Sequence, residues 1–198
     1  MGKFKVVITD REYENIENEI RILNNVGADV FAYQFRNEDD ILKVAHDCDG
    51  LIVQRAKLSK STIEKLDRCK VIAKYATGID GIDIVAATEK NIFVTNVNEY
   101  CSDEVSTHAL ALILDLSRKL YLYDKHIRKN VWDYKSTTPI HSLKSSIIGI
   151  IGFGKISRLL IKKLKPICNE IWVYSNSASC DDVANAVSYT HLGSNTIH

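Results

Sequence analysis

The sequence lacks the features that mark several large classes of protein. Its 198 residues include only two prolines. They also include no long apolar run, whereas a membrane-spanning helix needs about 18 apolar residues in succession. Lysine and arginine total 26 against 25 aspartates and glutamates, so the net charge of +1 gives no reason to expect a nucleic acid or a membrane as partner. The opening residues MGKFKVVITD enter a strand-like run directly, so we expect no secretory signal.

The cysteines show no metal-binding or disulfide pattern. The five cysteines are an odd number, widely spaced, and none occurs in a C-x-x-C motif. We therefore expect reduced thiols in a cytoplasmic protein, and no metal site. The cysteines are Cys48, Cys69, Cys101, Cys168 and Cys180.

Short β-branched apolar runs alternate with segments of helical periodicity over roughly the first hundred residues. This alternation predicts βαβ units and a mostly parallel sheet, which is the pattern of a doubly wound α/β domain. A glycine, Gly27, is the expected stop of the first helix. The strands are predicted at 4–9, 29–33, 51–54, 71–76 and 92–96, and the helices at 16–27, 37–46, 59–66 and 82–89.

A long helix is predicted to follow, with Ser102 as its N-cap. Residues 103–116 are apolar almost all round, so we expect this helix to be buried between domains or subunits. The polar stretch 124–146, anchored by Trp132 and Pro139, is predicted to cross into a second domain.

The second domain is expected to open with a strand at 147–151, a glycine turn and a helix. The turn is G-F-G-K-I-S at 152–157, close to the G-x-G-x-x-G pattern in which glycines admit a pyrophosphate to a helix N-terminus. A purely structural turn is the alternative. The next strand, 171–174, is followed by Ser175, at the position where a carboxylate usually binds the ribose hydroxyls. Because this carboxylate is missing, the choice between NAD and NADP stays open.

A second glycine loop, KYATGIDGID at 74–83, follows the fourth strand. The amides of Thr77 and Gly78 are candidates for holding a carboxylate at the carboxyl edge of the sheet, with Lys74 adding charge. The alternative is an ordinary turn in which Asp80 caps a helix and Lys74 is solvated.

Four segments, 70–97, 103–114, 128–133 and 147–160, together resemble the D-isomer-specific 2-hydroxyacid dehydrogenases, most of all the branch similar to phosphoglycerate dehydrogenase and C-terminal-binding protein. The resemblance implies a flavodoxin-like substrate domain at 1–100, then the first βαβ part of a Rossmann NAD(P)-binding domain at 101–186. It implies NAD as cofactor, with NADP possible. The implied substrate-binding residues are Lys74, Thr77 and Gly78, and the implied cofactor-binding residues are Thr77, Gly152, Gly154, Lys155, Ile156 and Ser175.

The resemblance also implies hydride transfer between nicotinamide and a small 2-hydroxy or 2-oxo acid. This chemistry needs an arginine and a histidine oriented by a carboxylate. No residue matches these three, so we expect a truncated and inactive fragment of a homodimeric enzyme. We expect 187–198, which contains VSYTHL, to be non-native. A non-enzymatic, dinucleotide-sensing co-regulator is the alternative function.

The histidines do not supply the missing acid/base group. His108 is expected to pack in the apolar helix, whereas His46, His126 and His141 stand in polar stretches and are expected to be solvated.

Overall fold

The computed structural model describes residues 3–176, so the segment expected to be non-native lies outside the described residues. The chain divides between Asn98 and Glu99 into two compact units. No helix within residues 3–176 combines the length and the apolar character needed to cross a membrane.

The first unit is a parallel five-stranded sheet with helices between its strands. The strand order, β2-β1-β3-β4-β5, is that of flavodoxin-like doubly wound folds, which confirms the predicted fold class. The strands are β1 Phe4–Ile8, β2 Ala28–Ala32, β3 Gly50–Val53, β4 Val71–Lys74 and β5 Phe93–Asn96, and the helices are α1 Glu17–Asn25, α2 Glu38–Ala45, α3 Lys60–Ile63 and α4 Ile84–Glu89.

The core of the first unit explains why the predicted strands form. β-Branched residues of the central strands, such as Val7, Val53 and Ile72, are fully buried and pack against α2 and α4. Gly27 follows α1 at φ +77°, a conformation that favours glycine, as expected for the helix stop. The cap of α4 is Asp83, whose carboxylate accepts the amide of Ala86 at 2.9 Å, so the prediction of Asp80 as cap is wrong.

The second unit carries one parallel βαβ element, in the predicted order. β6 Ile147–Ile151 pairs with β7 Glu170–Tyr174, and α7 Lys155–Leu164 connects them. Two helices precede it, α5 Ser102–Arg118 and α6 Leu120–Arg128. The small core is formed by Ile150, Phe153, Ile161, Leu164, Ile171 and Val173.

Two expectations for the start of the second unit are corrected. Cys101 occupies the N-cap position of α5, and Ser102 is the first helical residue. Within the described residues Ser106 is the one fully buried residue of α5 and Leu116 is 76% exposed, so burial of this helix between domains or subunits stays a prediction. Trp132 is 92% exposed and is therefore not an anchor of its segment.

Candidate functional site

The carboxyl edge of the five-stranded sheet is organised around a buried carboxylate that follows β1. Asp10 accepts hydrogen bonds from three successive backbone amides after β3, those of Gln54 at 3.0 Å, Arg55 at 2.8 Å and Ala56 at 3.3 Å. The hydroxyl of Thr9 donates to it as well, at 2.9 Å. Burial raises the pKa of Asp10, but these hydrogen bonds outweigh it and hold the pKa below the ordinary value.

A polar cluster covers this edge on the solvent side. The Oε1 atom of Gln54 accepts the amide of Glu12 at 2.6 Å, and its Nε2 atom donates to the Glu12 carboxylate at 3.1 Å. Arg55 forms an ion pair with the same carboxylate. Sequence reasoning singled out neither this cluster nor Asp10, although a carboxylate directly after a buried strand was an available signal.

Lys74, at the end of β4, is committed to the fold. Its side chain is buried, with 9% of the residue exposed, and its ammonium donates a hydrogen bond to the backbone carbonyl of Asp80. The Lys74 ammonium therefore already has an acceptor within the fold, and the alternative of a solvated Lys74 is wrong. Lys74 instead ties the two ends of the glycine loop together.

The loop between β4 and α4 presents unused backbone donors. Asn96 donates to the carbonyl of Thr77, and the amide of Val97 donates to Ala76 at 3.0 Å, so β5 supports the loop from one side. Within the described part of the chain, the amides of Thr77 and Gly78 have no acceptor. Thr77 is exposed. The loop therefore offers two adjacent N–H groups to an anion.

Tyr75 is the first residue of this loop after β4. Its hydroxyl donates to the carboxylate of Glu19 at 3.0 Å, and its ring meets Tyr13 edge to face at 6.1 Å between centroids. Burial, and then the neighbouring carboxylate, raise the pKa of Tyr75 above its ordinary value, so this hydroxyl stays protonated at neutral pH.

The glycine turn of the second unit is open on its outer side. Gly152 has φ +92°, a conformation that favours glycine, and its amide donates to Tyr174 at 2.7 Å. A Cβ atom added at Gly152 or Gly154 would meet no atom within 4 Å. Gly154 is the N-cap of α7, a helix of 10 residues. The amides of Lys155 and Ile156 in its first turn have no acceptor among residues 3–176.

The side chains around the turn are mostly held in place. The ammonium of Lys155 is paired with Glu99, and the Ser157 hydroxyl donates to the carbonyl of Gly154 at 3.0 Å. Arg158, which sequence reasoning missed, lies with its guanidinium 4.3 Å from the centre of the Phe153 ring. It adds positive charge beside the helix N-terminus.

Ser175 lies next to the glycine turn, as its predicted role requires. β6 and β7 are paired with Ile151 opposite Tyr174, so Gly152 and Ser175 each follow one member of a matched pair. In neighbouring parallel strands such positions are adjacent at the carboxyl edge. The structure therefore brings together Gly152, Gly154, Lys155, Ile156 and Ser175.

No catalytic histidine is assembled within the described residues. His108 is exposed on α5, which corrects the expectation of a packed histidine. His126 contacts the hydroxyl of Ser136 through Nδ1 at 3.0 Å, and His46 contacts the carbonyl of Leu42 at 3.2 Å. Neither these nor His141 is bonded to a carboxylate, and residues 3–176 hold no cluster of three metal-binding side chains.

Each unit carries its own candidate site on a parallel α/β fold, and comparison with known families agrees with this fold. The family model described as D-isomer specific 2-hydroxyacid dehydrogenase, catalytic domain, matches residues 6–195. The chain belongs to this family, which uses NAD(H).

Two characterised relatives cover most of the chain. D-3-phosphoglycerate dehydrogenase of Methanocaldococcus jannaschii is 32% identical over 162 residues, which are 81% of this chain and 30% of that protein. Glyoxylate reductase of Thermococcus litoralis is 33% identical over 145 residues, 69% of this chain and 44% of that protein. The chain thus spans less than half the length of either relative.

Solved structures agree on the fold. A protein of Pyrococcus horikoshii has a TM-score of 0.74 and 25% identity, covering 96% of this chain and 57% of its own. D-Lactate dehydrogenase from Aquifex aeolicus, solved with NAD and lactic acid, has a TM-score of 0.78 at 21% identity, covering 96% of this chain and 56% of its own.

Proposed function

We propose that the protein carrying this chain is an NAD(P)-dependent oxidoreductase that acts on the CH–OH group of a D-2-hydroxy acid. The observation that carries the proposal is the glycine turn before α7, with its unoccupied amides and its open outer face. Similarity to phosphoglycerate dehydrogenase and glyoxylate reductase supports the substrate class of small 2-hydroxy and 2-oxo acids.

The residues of the turn fit the pyrophosphate of a dinucleotide. The absence of side chains at Gly152 and Gly154 lets an anion approach the backbone, and α7 contributes the positive end of its dipole. Lys155 and Ile156 would donate their amides. Ser175 would contact the adenosine ribose through its hydroxyl, which carries no charge to repel a 2′-phosphate, so both NAD and NADP are acceptable.

The loop of the first unit would bind the acid. Thr77 and Gly78 would donate their amides to the substrate carboxylate, and the family resemblance assigns Thr77 to cofactor binding as well. Lys74 would act indirectly, by holding the loop through the Asp80 carbonyl. When bound, the nicotinamide supplies or accepts the hydride. Proton transfer needs a histidine oriented by a carboxylate, and none is assembled among residues 3–176.

We therefore propose that the 198-residue chain binds dinucleotide without turning over substrate. The first test is calorimetric titration of the chain with NADH and with NADPH. Gly154→Ala should reduce affinity about tenfold or more, because its methyl group would stand where the anion approaches, without displacing any neighbour. Gly149→Ala, inside β6 with equally open space, is the matched control and should bind as the unaltered chain does.

Turnover is tested separately, with a panel of 2-oxo acids and reduced cofactor. Binding without turnover agrees with the proposal. Enzyme-dependent oxidation of the cofactor would contradict the inactivity of this chain, and absence of dinucleotide binding would contradict the cofactor site. Dinucleotide-dependent capture of a partner by a complete, inactive protein would instead favour a co-regulator.

A further inference from the structure

Two cysteines face each other at the amino ends of β3 and β4. Gly50 of β3 is paired with Val71 of β4, and the amide of Lys70 donates to Asp49 at 2.9 Å, so the ladder continues backward by one residue. Cys48 and Cys69 stand two residues before the paired positions and therefore oppose each other.

This placement suits a disulfide. Neighbouring parallel strands lie about 4.8 Å apart, and a disulfide joins Cα atoms that are roughly 4.4–6.8 Å apart. Opposed residues of parallel strands point to the same face of the sheet. Both side chains belong to one core cluster, with Cys48 0% and Cys69 4% exposed. Each thiol is the largest single influence on the pKa of the other.

The two thiols are chemically unequal. The Cys69 sulfur donates to the carbonyl of Val71 at 3.3 Å when protonated. The hydrogen bond from Cys48 favours the Cys69 thiolate and lowers the pKa of Cys69, although burial opposes this. The same hydrogen bond, together with burial, raises the pKa of Cys48. The lowered pKa favours Cys69 as the attacking sulfur and leaves Cys48 as the resolving one.

We propose that Cys48 and Cys69 form a dithiol that hydroperoxides convert to an intramolecular disulfide, joining the amino ends of β3 and β4. The Cys69 thiolate attacks a peroxide oxygen and breaks the O–O bond, which leaves a sulfenic acid and releases the other oxygen as water. The Cys48 sulfur then attacks the sulfenic sulfur, forms the S–S bond and expels a second water. Two thiols thus lose two electrons and two protons, and one hydrogen peroxide becomes two waters.

Access requires a local opening, because both sulfurs are buried. The pair lies in two connections outside the regular elements, at 46–49 and 64–70. These connections are held to each other by the Asp67 amide on the His46 carbonyl at 2.8 Å and by the Arg68–Asp49 ion pair at 2.9 Å. Their separation admits peroxide while the sheet stays paired. Oxidation is therefore expected to be slower than that of an exposed thiol.

The disulfide would act as a reversible brace at the edge of the sheet opposite the candidate site. β3 and β4 carry the Asp10-bound segment 54–56 and the loop 74–83 at their carboxyl ends. Fixing their amino ends restrains both strands without placing a sulfur atom at the site itself.

The test uses the folded 198-residue chain, exposed to hydrogen peroxide and then unfolded in excess N-ethylmaleimide. Peptide mapping without reductant should find the Cys48 and Cys69 peptides cross-linked and lighter by two hydrogen atoms. Dithiothreitol should restore both thiols. Recovery of both cysteines as maleimide adducts, from a sample in which peroxide has consumed added glutathione, would overturn the proposal. So would a cross-link from either cysteine to a different one.

Variants separate the roles of the two sulfurs. In Cys48→Ser the sulfenic acid on Cys69 has no resolving thiol, so a 1,3-dione probe should label Cys69. In Cys69→Ser the same probe should leave Cys48 unlabelled. Cys101→Ser, outside the pair, should cross-link as the unaltered chain does. Circular dichroism verifies that each variant is folded, and the mapping of the unaltered chain decides the proposal if one is not.

Discussion

The two carboxyl edges of the molecule use polar groups in opposite ways. In the first unit, side chains satisfy much of the backbone, apart from the Thr77 and Gly78 amides: Asp10 accepts three amides, and Lys74 and Asn96 each donate to a carbonyl. In the second unit, two glycines leave the backbone bare, and the first amides of α7 have no acceptor among the described residues. A polar side chain at a strand end is thus weaker evidence for a ligand-binding site than a helix N-terminus whose amides are not covered by side chains.

The largest test of this difference removes the buried carboxylate. Asp10→Asn leaves a single carbonyl oxygen for three amides, so we expect a loss of about 3 kcal/mol in unfolding free energy. Urea unfolding followed by circular dichroism measures it. Asp67→Asn, at an exposed aspartate, is the control and should change little. An equal effect of both substitutions would contradict the structural role of Asp10.

The same carboxylate gives a pH dependence. The pKa of Asp10 is lower in the folded chain than its ordinary value of 3.8, so its stabilising contribution is complete above that value. The contribution is lost as the pH falls through the folded pKa. The difference in unfolding free energy between the unaltered chain and Asp10→Asn should therefore narrow as the pH falls below 3.8, and remain constant between about pH 5 and 8.

A smaller effect is expected from Lys74→Met. The substitution keeps the apolar stem but leaves the Asp80 carbonyl without its donor, at a cost of about 2 kcal/mol. In this variant, hydrogen exchange in the loop 74–83 should be faster than in the unaltered chain, whereas exchange in β1 should stay unchanged. Lys70→Met, at an exposed lysine just before β4, is the matched control. Unchanged exchange in the loop would show that Lys74 does not hold it.

Lys163 provides the corresponding test in the second unit. Its ammonium joins α7 to α5 through the Asp103 carbonyl at 3.0 Å, the Ser106 hydroxyl at 2.7 Å and the Thr107 hydroxyl at 2.6 Å. Lys163→Met should cost about 1.5 kcal/mol in thermal or urea unfolding. Lys162→Met, on the exposed face of the same helix, should leave the free energy of unfolding almost unchanged. Similar losses in both variants would contradict a specific role of Lys163 in joining α7 to α5.

The smallest expected effect is at the turn itself. Gly152→Ala forces a side chain into φ +92° but meets no neighbouring atom, so only backbone strain of about 1 kcal/mol is expected. Urea unfolding should register this loss, whereas Gly154→Ala, at φ −83°, should not. A large loss in both would mean that the turn is packed rather than open.

The alternation of strands and helices was predictable because each strand of the first unit is a short β-branched run. β6 begins and ends where it was predicted, at Ile147 and Ile151, because a glycine turn closes the run. The partners of the polar residues were not predictable. Nothing in the sequence indicates that the Lys74 ammonium reaches the carbonyl of Asp80, or that Asp10 meets amides more than forty positions away.

Burial was also hard to predict for isolated apolar residues. The apolar character of α5 predicted a buried helix, and Trp132 was expected to be an anchor, yet Leu116 and Trp132 are largely exposed within this chain. The hydrophobicity of a residue indicates that it favours burial, but it does not show whether the same unit of the protein buries it. The roles assigned to Thr77, Gly152 and Ser175 stay predictions until the titrations described above are made.

The distribution of tryptophan has a spectroscopic consequence. The chain has two tryptophans, Trp132 and Trp172, and both fall after the boundary at Asn98. Indole emission therefore reports on the second unit alone, whereas far-ultraviolet dichroism reports on both. Trp172 lies on β7, two residues from the strand's end, where energy transfer to a reduced nicotinamide would quench its emission. Tryptophan emission can thus serve as an intrinsic probe of dinucleotide binding, to which the first unit contributes no signal.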